Sequence, residues 1–278
     1  MKWLGRRESS NTEQSSGGRG IAMGGGLVGI IAAAIYFFTG IDPSQLLNQV
    51  QQPQEQTNTQ PGSDPNDPQK KFARVVLADT EDIWNKIFSE MGSTYEEPTL
   101  HFFEGSVNTQ GCGFAQSATG PFYCPGDRKL YLDLTFFEEL ENRFGAAGDF
   151  ARAYVIAHEV GHHVQQLMGT MDKLQRARGN MSETEYNKLS VKLELQADFY
   201  AGVFAHYEQN TKGVLEPGDI EEALNAANQI GDDRLQQQGQ GHVEPDSFTH
   251  GTSAQRQYWF KRGYETGDLR QGDTFSEL

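Results

Sequence analysis

The pattern of hydrophobic and polar positions divides the 278-residue chain into four parts. Residues 1–20 are polar, with four basic and two acidic side chains, whereas residues 21–39 contain no charged side chain and include a continuous apolar run. Residues 40–69 are rich in Gln, Asn and Pro, a composition typical of a disordered linker. In residues 70–278, apolar positions recur at helical and strand spacing, which predicts one globular domain.

The uncharged segment 21–39 is predicted to be a transmembrane helix, since about 18 to 20 apolar residues span a bilayer. Basic residues precede it, and no Lys or Arg follows until Lys70. The positive-inside rule then predicts that residues 1–20 form a cytoplasmic tail and that the rest of the chain is exported. The predicted partner of this segment is the lipid bilayer.

A cleaved signal peptide is the alternative interpretation of the same segment. Its cleavage site would need small residues, but bulky Tyr36, Phe37 and Phe38 stand there, which favours an uncleaved anchor. Gly25 and Gly29 lie on one helical face, a pattern that would allow two such helices to pack as a homo-oligomer.

Strand-like and helix-like segments are segregated along the globular part. A helix is predicted for 74–89, before short strands at 100–103, 111–115, 122–124 and 129–134. Further helices are predicted for 149–168, 183–208, 217–229 and 252–263. Such segregation is typical of the α+β class.

The pentad His158-Glu159-Val160-Gly161-His162 lies within the predicted helix 149–168. Residues four apart share one helical face, so the two imidazoles can bind one metal ion, with Glu159 beside it as an acceptor for a proton of water. Gly161 is a poor helix former, which suggests that another backbone or a substrate approaches there. The alternative is a chance occurrence on an exposed face.

A catalytic zinc needs a third protein ligand, and the following helix provides one. Glu194 lies there among small residues that allow close helix approach, so it is predicted to be the third ligand. Asp198, one turn further, is predicted to accept the free ring N–H of a ligating histidine, which we assign as His158. The alternative for Glu194 and Asp198 is a solvated acidic face.

Charge and cysteine content narrow the choice of partners and compartment. The chain has a net charge of −15, and the part after residue 40 is more acidic than the whole, which argues against nucleic acid as a partner. Cys112 and Cys124 flank a segment of turn composition and are predicted to form a disulfide across a hairpin. A free buried pair is the alternative.

Two patterns in this chain resemble known families. The H-E-x-x-H pentad followed some thirty residues later by E-x-x-x-D resembles the gluzincin arrangement of thermolysin-like peptidases. Several blocks together resemble the neutral zinc metallopeptidase family of bacterial membrane proteins: Lys2-Trp3, 5–9, 120–125, 131–133, 158–165, 194–198 and 248–256. The resemblance covers nearly the whole chain.

This resemblance implies a zincin-like metallopeptidase domain, with a small N-terminal sheet and hairpin, an active-site helix and following helices, behind a single transmembrane helix. It implies a single-pass protein of the bacterial inner membrane whose catalytic domain is periplasmic or extracellular. It also implies that the hairpin between Cys112 and Cys124 supplies the sheet edge that binds an extended peptide.

The function predicted from these patterns is hydrolysis of peptide bonds in a peptide or protein substrate, with one zinc ion held by His158, His162 and Glu194. Glu159 would be the general base. His250 precedes a predicted helix and, as a distal histidine does in gluzincins, would donate a hydrogen bond to the oxyanion. An exposed loop histidine is its alternative. The alternative function is a catalytically silent, membrane-anchored interaction protein that binds zinc.

Overall fold

The computed structural model describes residues 1–15, 64, 66–179 and 181–277 of the chain. Within these residues the chain forms six strands: β1 (Thr12–Gln14), β2 (Thr99–Phe102), β3 (Ser106–Asn108), β4 (Phe114–Gln116), β5 (Phe122–Cys124) and β6 (Lys129–Leu132). The helices are α1 (Pro68–Glu90), α2 (Thr135–Asn142), α3 (Asp149–Leu167), α4 (Thr170–Arg178), α5 (Glu183–Tyr207), α6 (Asp219–Gln229), α7 (Asp232–Gln240), α8 (Ser253–Thr266) and α9 (Thr274–Glu277). The predicted mixture of α and β structure is confirmed.

Four strands form a sheet in the order β1-β2-β6-β5, with β5 antiparallel to β6 and the other pairs parallel. β3 and β4 form a separate antiparallel hairpin. Leu100, Leu130 and Leu132 of the sheet belong to the same buried apolar cluster as Phe150 and Ile156 of α3. The sheet therefore has one face on the core, and helix α3 lies against that core.

Helix α3 is central among the helices, because it packs against α1, α5 and α6. Its apolar side chains Phe150, Tyr154, Val160 and Val164 are buried, and they recur at the spacing that predicts a helix. Helix α5 begins at a capping box in which Ser182 and Glu185 exchange hydrogen bonds. Helix α8 packs along α5 and completes the helical layer.

The transmembrane part of the predicted fold class is wrong. Among the described residues, every helix is too short or too polar to cross a bilayer. The predicted span 21–39 and most of the predicted linker 40–69 lie outside the described residues. The architecture that the structure supports is mixed α and β.

The first fifteen residues are part of the folded domain, which contradicts the predicted single-pass topology. Strand β1 pairs with β2, Arg6 donates to Asp79 with an N–O distance of 2.6 Å, and Arg7 donates to Glu81 at 2.9 Å. One membrane crossing after residue 20 would place these partners on opposite sides of the bilayer. The predicted inner-membrane localisation, with a cytoplasmic tail and an exported domain, is therefore wrong as well.

The predicted disulfide between Cys112 and Cys124 is present, but the hairpin predicted to carry it is not. The strands on either side of the turn do not pair with one another, because β4 pairs with β3 and β5 pairs with β6. A 3₁₀ turn at Ser117–Thr119 and Gly120, at φ 77°, redirect the chain between them. The disulfide ties the loop of one strand pair to the edge strand of the other.

Two buried carboxylates also hold the N-terminal segment, and their like negative charges repel one another. Asp79 and Glu208 are 3% and 0% exposed, and both contact the basic side chains of Arg6 and Lys212. Burial, followed by the neighbouring Asp79 charge, raises the pKa of Glu208 to about 7. Burial likewise raises the pKa of Asp79.

We expect Glu208 to make the protein less stable as the pH rises from about 4.5 toward 7. The pKa of Glu208 in the folded state lies above its value in the unfolded chain. Its contribution to the free energy of unfolding is therefore fully present at pH values below the unfolded pKa and is lost as the pH rises through the folded pKa. The slope from one such group is at most about 1.4 kcal/mol per pH unit. In Glu208→Gln this contribution to the slope should disappear from urea unfolding free energies measured between pH 5 and 8.

The matched control is Glu90→Gln, which changes an exposed carboxylate at the end of α1. It should keep the pH dependence of the wild type. Equal slopes for the wild type and Glu208→Gln would contradict the raised pKa.

Candidate metal centre

Helix α3 presents two histidine rings to one point. His158 and His162 are 6% and 7% exposed, and their ring centroids lie 4.8 Å apart, as expected for residues one turn apart on one face. The Nδ1 atom of His158 is 2.8 Å from Oδ1 of Asp198, and that of His162 is 2.9 Å from Oε1 of Gln165. Each ring can therefore donate through Nδ1 and turn its Nε2 lone pair toward the same point.

Helix α5 brings Glu194 to these two nitrogens. Its Oε2 atom is 3.1 Å from Nε2 of His158 and 3.4 Å from Nε2 of His162. One ligand atom from each of the three residues lies within 4.8 Å of the other two. The structure thus brings together the three residues predicted as ligands.

The donor set fits a zinc ion. Two imidazole nitrogens and one carboxylate oxygen are typical zinc ligands, and ligand atoms in a tetrahedral site lie about 3.3 to 3.6 Å apart. Two nitrogen lone pairs that face a carboxylate would repel it unless positive charge lies between them. Burial lowers the pKa of His158, but Asp198 and Glu194 outweigh burial and raise it to about 10, so the surroundings favour positive charge at this point.

Gly161 explains how the short Glu194 side chain reaches the histidines. A Cβ atom at this position would lie 3.0 Å from the carbonyl oxygen and 3.1 Å from the Cα atom of Ala197. The backbones of α3 and α5 therefore approach closely one turn from the candidate ligands. The expectation of a close backbone approach at Gly161 is confirmed.

Replacing Gly161 with Ala should destabilise the protein by about 1 to 3 kcal/mol, the usual range for overpacking a core, since both contacts are with backbone atoms that cannot move away. It should also lower zinc affinity, because α5 would shift together with Glu194. Chemical unfolding and competition with a zinc chelator measure the two effects.

Gly179→Ala is the matched control, since an added Cβ there meets no atom within 4 Å. It should leave both stability and zinc affinity near those of the wild type. If Gly161→Ala behaved in the same way, the close approach of the two helices would be wrong.

A buried network holds Asp198 behind His158. Asp198 is 0% exposed, and its Oδ1 accepts from the Tyr154 hydroxyl at 2.5 Å and from Nη2 of Arg256 at 3.0 Å. Its Oδ2 accepts from Nε of Arg256 at 2.8 Å. Burial raises the pKa of Asp198, but the charge of Arg256 outweighs it and holds the pKa at about 2, so the carboxylate stays ionised and can fix the His158 ring.

Arg256 was missed as a site residue by the sequence reasoning. A signal was present, because Arg256 shares a helical face with Trp259, Phe260 and Gly263, and all four are buried in α8. A charged side chain in such a stripe needs a buried partner of opposite charge. The sequence alone does not show that Asp198 is that partner.

Glu159 lies between the two histidines in sequence, and the backbone N–H of Tyr123 in β5 is near enough to its carboxyl group to oppose the rise of its pKa. Burial raises the pKa of its carboxyl. The same tyrosine is held by His163, whose Nδ1 is 3.0 Å from the Tyr123 hydroxyl and whose Nε2 is 2.6 Å from the carbonyl oxygen of Glu96. His163 therefore fastens the sheet edge to α3 instead of joining the ligands.

His250 lies in the loop before α8, with its side chain 42% exposed. Oδ2 of Asp232 accepts from the backbone N–H groups of Thr249, His250 and Gly251, and Oδ1 is 3.2 Å from Nδ1 of His250. Burial raises the pKa of Glu194, but the charges of His162 and His250 are among the causes that hold it well below its ordinary value. His250 thus acts electrostatically on the candidate metal ligand, and Asp232 orients it.

The chain is similar to a described protein family and to proteins from bacteria. A model of the family described as "Putative neutral zinc metallopeptidase" matches residues 1–275. "Uncharacterized protein YpfJ" of Escherichia coli strain K12 is 50% identical over 289 residues, covering 100% of this chain and 99% of the relative. "Uncharacterized protein Rv2575" of Mycobacterium tuberculosis strain H37Rv is 41% identical over 253 residues, covering 85% and 84% of the two chains. No solved structure matches this chain.

Proposed function

This chain belongs to the neutral zinc metallopeptidase family, and from that premise we propose that it is a zinc-dependent endopeptidase. His158, His162 and Glu194 would hold one zinc ion, and Glu159 would be the general base. The observation that carries the proposal is the convergence of two imidazole Nε2 atoms and one carboxylate oxygen beside the half-buried Glu159.

When bound, a zinc ion at this site would supply Lewis-acid polarisation of a peptide carbonyl and would lower the pKa of a water molecule. Glu159 would accept the proton of the attacking water and later give it to the leaving amine. The Tyr123 N–H would hold the Glu159 carboxylate in position for both transfers. Asp198 would hold His158 through its Nδ1 atom, and Arg256 would hold Asp198.

Strand β5 is the proposed binding edge for an extended peptide. It is one of the two outer strands of the four-stranded sheet, packs against α3, and carries Tyr123 near Glu159. An added strand gains main-chain hydrogen bonds at such an edge, which suits a peptide or protein substrate of varied sequence. The Cys112–Cys124 disulfide would keep this edge in place.

His250 would donate a hydrogen bond to the oxygen of the tetrahedral intermediate. Asp232 accepts from Nδ1 of His250, and Nε2 also carries a proton when the ring is positively charged. Burial lowers the pKa of His250, but Glu194 and Asp232 outweigh burial and raise it, which favours the charged ring whose Nε2–H would donate to the substrate oxygen.

We expect His250→Ala to keep its zinc but to lose about 10² to 10³ in kcat, the usual cost of removing one oxyanion donor. Steady-state kinetics with a fluorogenic peptide, together with zinc analysis, provide the measurement. His242→Ala is the control, because His242 is an exposed loop histidine whose Nδ1 atom lies 3.2 Å from the carbonyl oxygen of Gln240. Equal activity of the two variants would remove His250 from the mechanism.

The proposal is tested by digestion of a peptide library with the full chain near neutral pH, before and after removal of metal with a chelator. Cleavage should require metal and return when zinc is added back, with one zinc bound per chain. A zinc-bound protein that cleaves nothing in the library would instead support the catalytically silent zinc-binding protein.

A further inference from the structure

A second cluster of reactive side chains lies on the sheet away from the metal centre. Oγ of Ser15 is 2.7 Å from Nε2 of His101, and Nδ1 of the same ring is 2.7 Å from Oε1 of Glu13. The serine, the histidine and the carboxylate therefore form an unbroken chain of hydrogen bonds through both nitrogens of one ring.

The register of the sheet produces this arrangement. Glu13 lies opposite His101 across the parallel pair β1 and β2, and His101 lies opposite Tyr131 across β2 and β6. Side chains alternate along a strand, so His101 faces away from the core that holds its neighbours Leu100 and Phe102. Its ring packs against the Tyr131 ring, with the centroids 5.0 Å apart.

The hydrogen bonds select one tautomer of His101. A Glu13 carboxylate accepts the proton of Nδ1, which leaves the lone pair of Nε2 to accept the hydroxyl proton of Ser15. Burial raises the pKa of Glu13, but hydrogen bonds from Lys129 and His101 outweigh it and leave the pKa below its ordinary value. Lys129 approaches the same Oε1 atom to 2.5 Å and keeps the carboxylate ionised.

Ser15 and His101 line an open surface pocket of about 290 Å³, close to the lower size of small-molecule sites. Asn108, Gln110 and Lys129 also line it, so its walls carry several hydrogen-bond donors. The backbone N–H of Ser15 is already bonded to the carbonyl of Phe102, so donors for a substrate oxygen must come from these side chains.

We propose that Ser15 is the nucleophile of a second hydrolytic site, which acts on small polar carboxylic esters. Oγ of Ser15 bonds to the acyl carbon, its proton passes to Nε2 of His101, and His101 gives that proton to the departing alcohol. Water then attacks the acyl group, His101 takes its proton and returns one to Ser15, and the carboxylic acid leaves. The net reaction converts an ester and water to an acid and an alcohol.

This site does not depend on the proposed peptidase activity, because none of its residues contacts the candidate metal ligands in the described part of the chain. The test is labelling of the full-length protein with an alkyl fluorophosphonate, with and without a metal chelator. In this reaction the Ser15 oxygen bonds to phosphorus, fluoride leaves, and His101 takes the proton. Mass spectrometry of peptides should locate the label on Ser15, with or without the chelator.

Variants of the other two residues should slow the labelling. His101→Gln should slow it by at least about 10²-fold, because the general base is lost. Glu13→Gln should slow it by at least about 10-fold, because the carboxylate no longer selects the tautomer. Ser106→Ala changes an exposed strand serine and should label like the wild type. Hydrolysis of p-nitrophenyl acetate should fall to the uncatalysed rate in Ser15→Ala.

The proposal would be overturned if Ser15 stayed unlabelled in protein whose thermal unfolding profile shows that it is folded. So would a labelling rate that Glu13→Gln leaves unchanged, or ester hydrolysis that persists in Ser15→Ala. If His101→Gln does not fold, Glu13→Gln and Ser15→Ala still decide the question, since both side chains are partly exposed.

Discussion

Glu159→Gln should retain zinc and fold like the wild type, yet cleave peptides about 10² to 10⁴ times more slowly, the usual contribution of a general base. Glutamine has nearly the shape of glutamate, so its amide oxygen can take the place of a carboxylate oxygen near the Tyr123 N–H. It cannot take the proton of the attacking water. Because Glu159 is not among the three converging ligand atoms, the metal should remain bound.

The measurement combines zinc analysis, a thermal unfolding profile and kcat/KM for a cleaved library peptide. Glu183→Gln provides the control, since it removes an exposed glutamate from the first turn of α5 and should leave activity unchanged. A Glu159→Gln protein that cleaves as fast as the wild type would refute the mechanism. A loss of zinc with the loss of activity would mean that Glu159 acts through the metal ligands.

Glu194→Ala should lose most of the bound zinc, because two histidines alone form a weak and incomplete ligand set. The Oε2 atom of Glu194 faces the Nε2 atoms of both histidines. Among the described residues, Glu194 is the only carboxylate in this group of possible metal ligands, so no other carboxylate is in place to replace it. Asp198→Asn should cost less, about 10- to 100-fold in zinc affinity or activity, because Asp198 orients His158 from its far side.

Zinc content after dialysis and competition with a chelator separate these two roles. Comparison is made at equal folded fractions, since Asp198→Asn also weakens the partner of the buried Arg256. Full zinc occupancy in Glu194→Ala would reject the assignment of the third ligand. Equal losses in the two variants would mean that the two carboxylates have been given the wrong roles.

Much of the candidate metal centre could be predicted because its residues lie on two long helices. The 3.6-residue period places His158 and His162 on one face of α3, and Glu194 and Asp198 on one face of α5. The small residues around Glu194 and the poor helix former Gly161 indicate a close approach, which the Ala197 backbone confirms. Such signals are local, so they can be read from short stretches of sequence.

The rest required contacts between residues distant in sequence. Arg256 bonds to Asp198 across 58 residues, and His250 is oriented by Asp232 through a loop whose path no periodicity describes. Strands β1 and β3 contain three residues each, too few to show an alternating pattern. The predicted hairpin at the disulfide was wrong for the same reason, because strand pairing depends on partners outside the segment.

By itself, the sequence predicted the long helices that carry the candidate metal centre, the three candidate zinc ligands, a candidate general base and the cysteine pair. Only the tertiary structure decided where the N-terminal residues lie. The apolar pattern of residues 21–39 describes the preference of that segment alone, whereas the position of residues 1–15 depends on β1 pairing with β2 and on Arg6 reaching Asp79. Those contacts join residues more than 70 positions apart. They form only when the whole domain folds and its other contacts offset the entropy lost in bringing the two segments together.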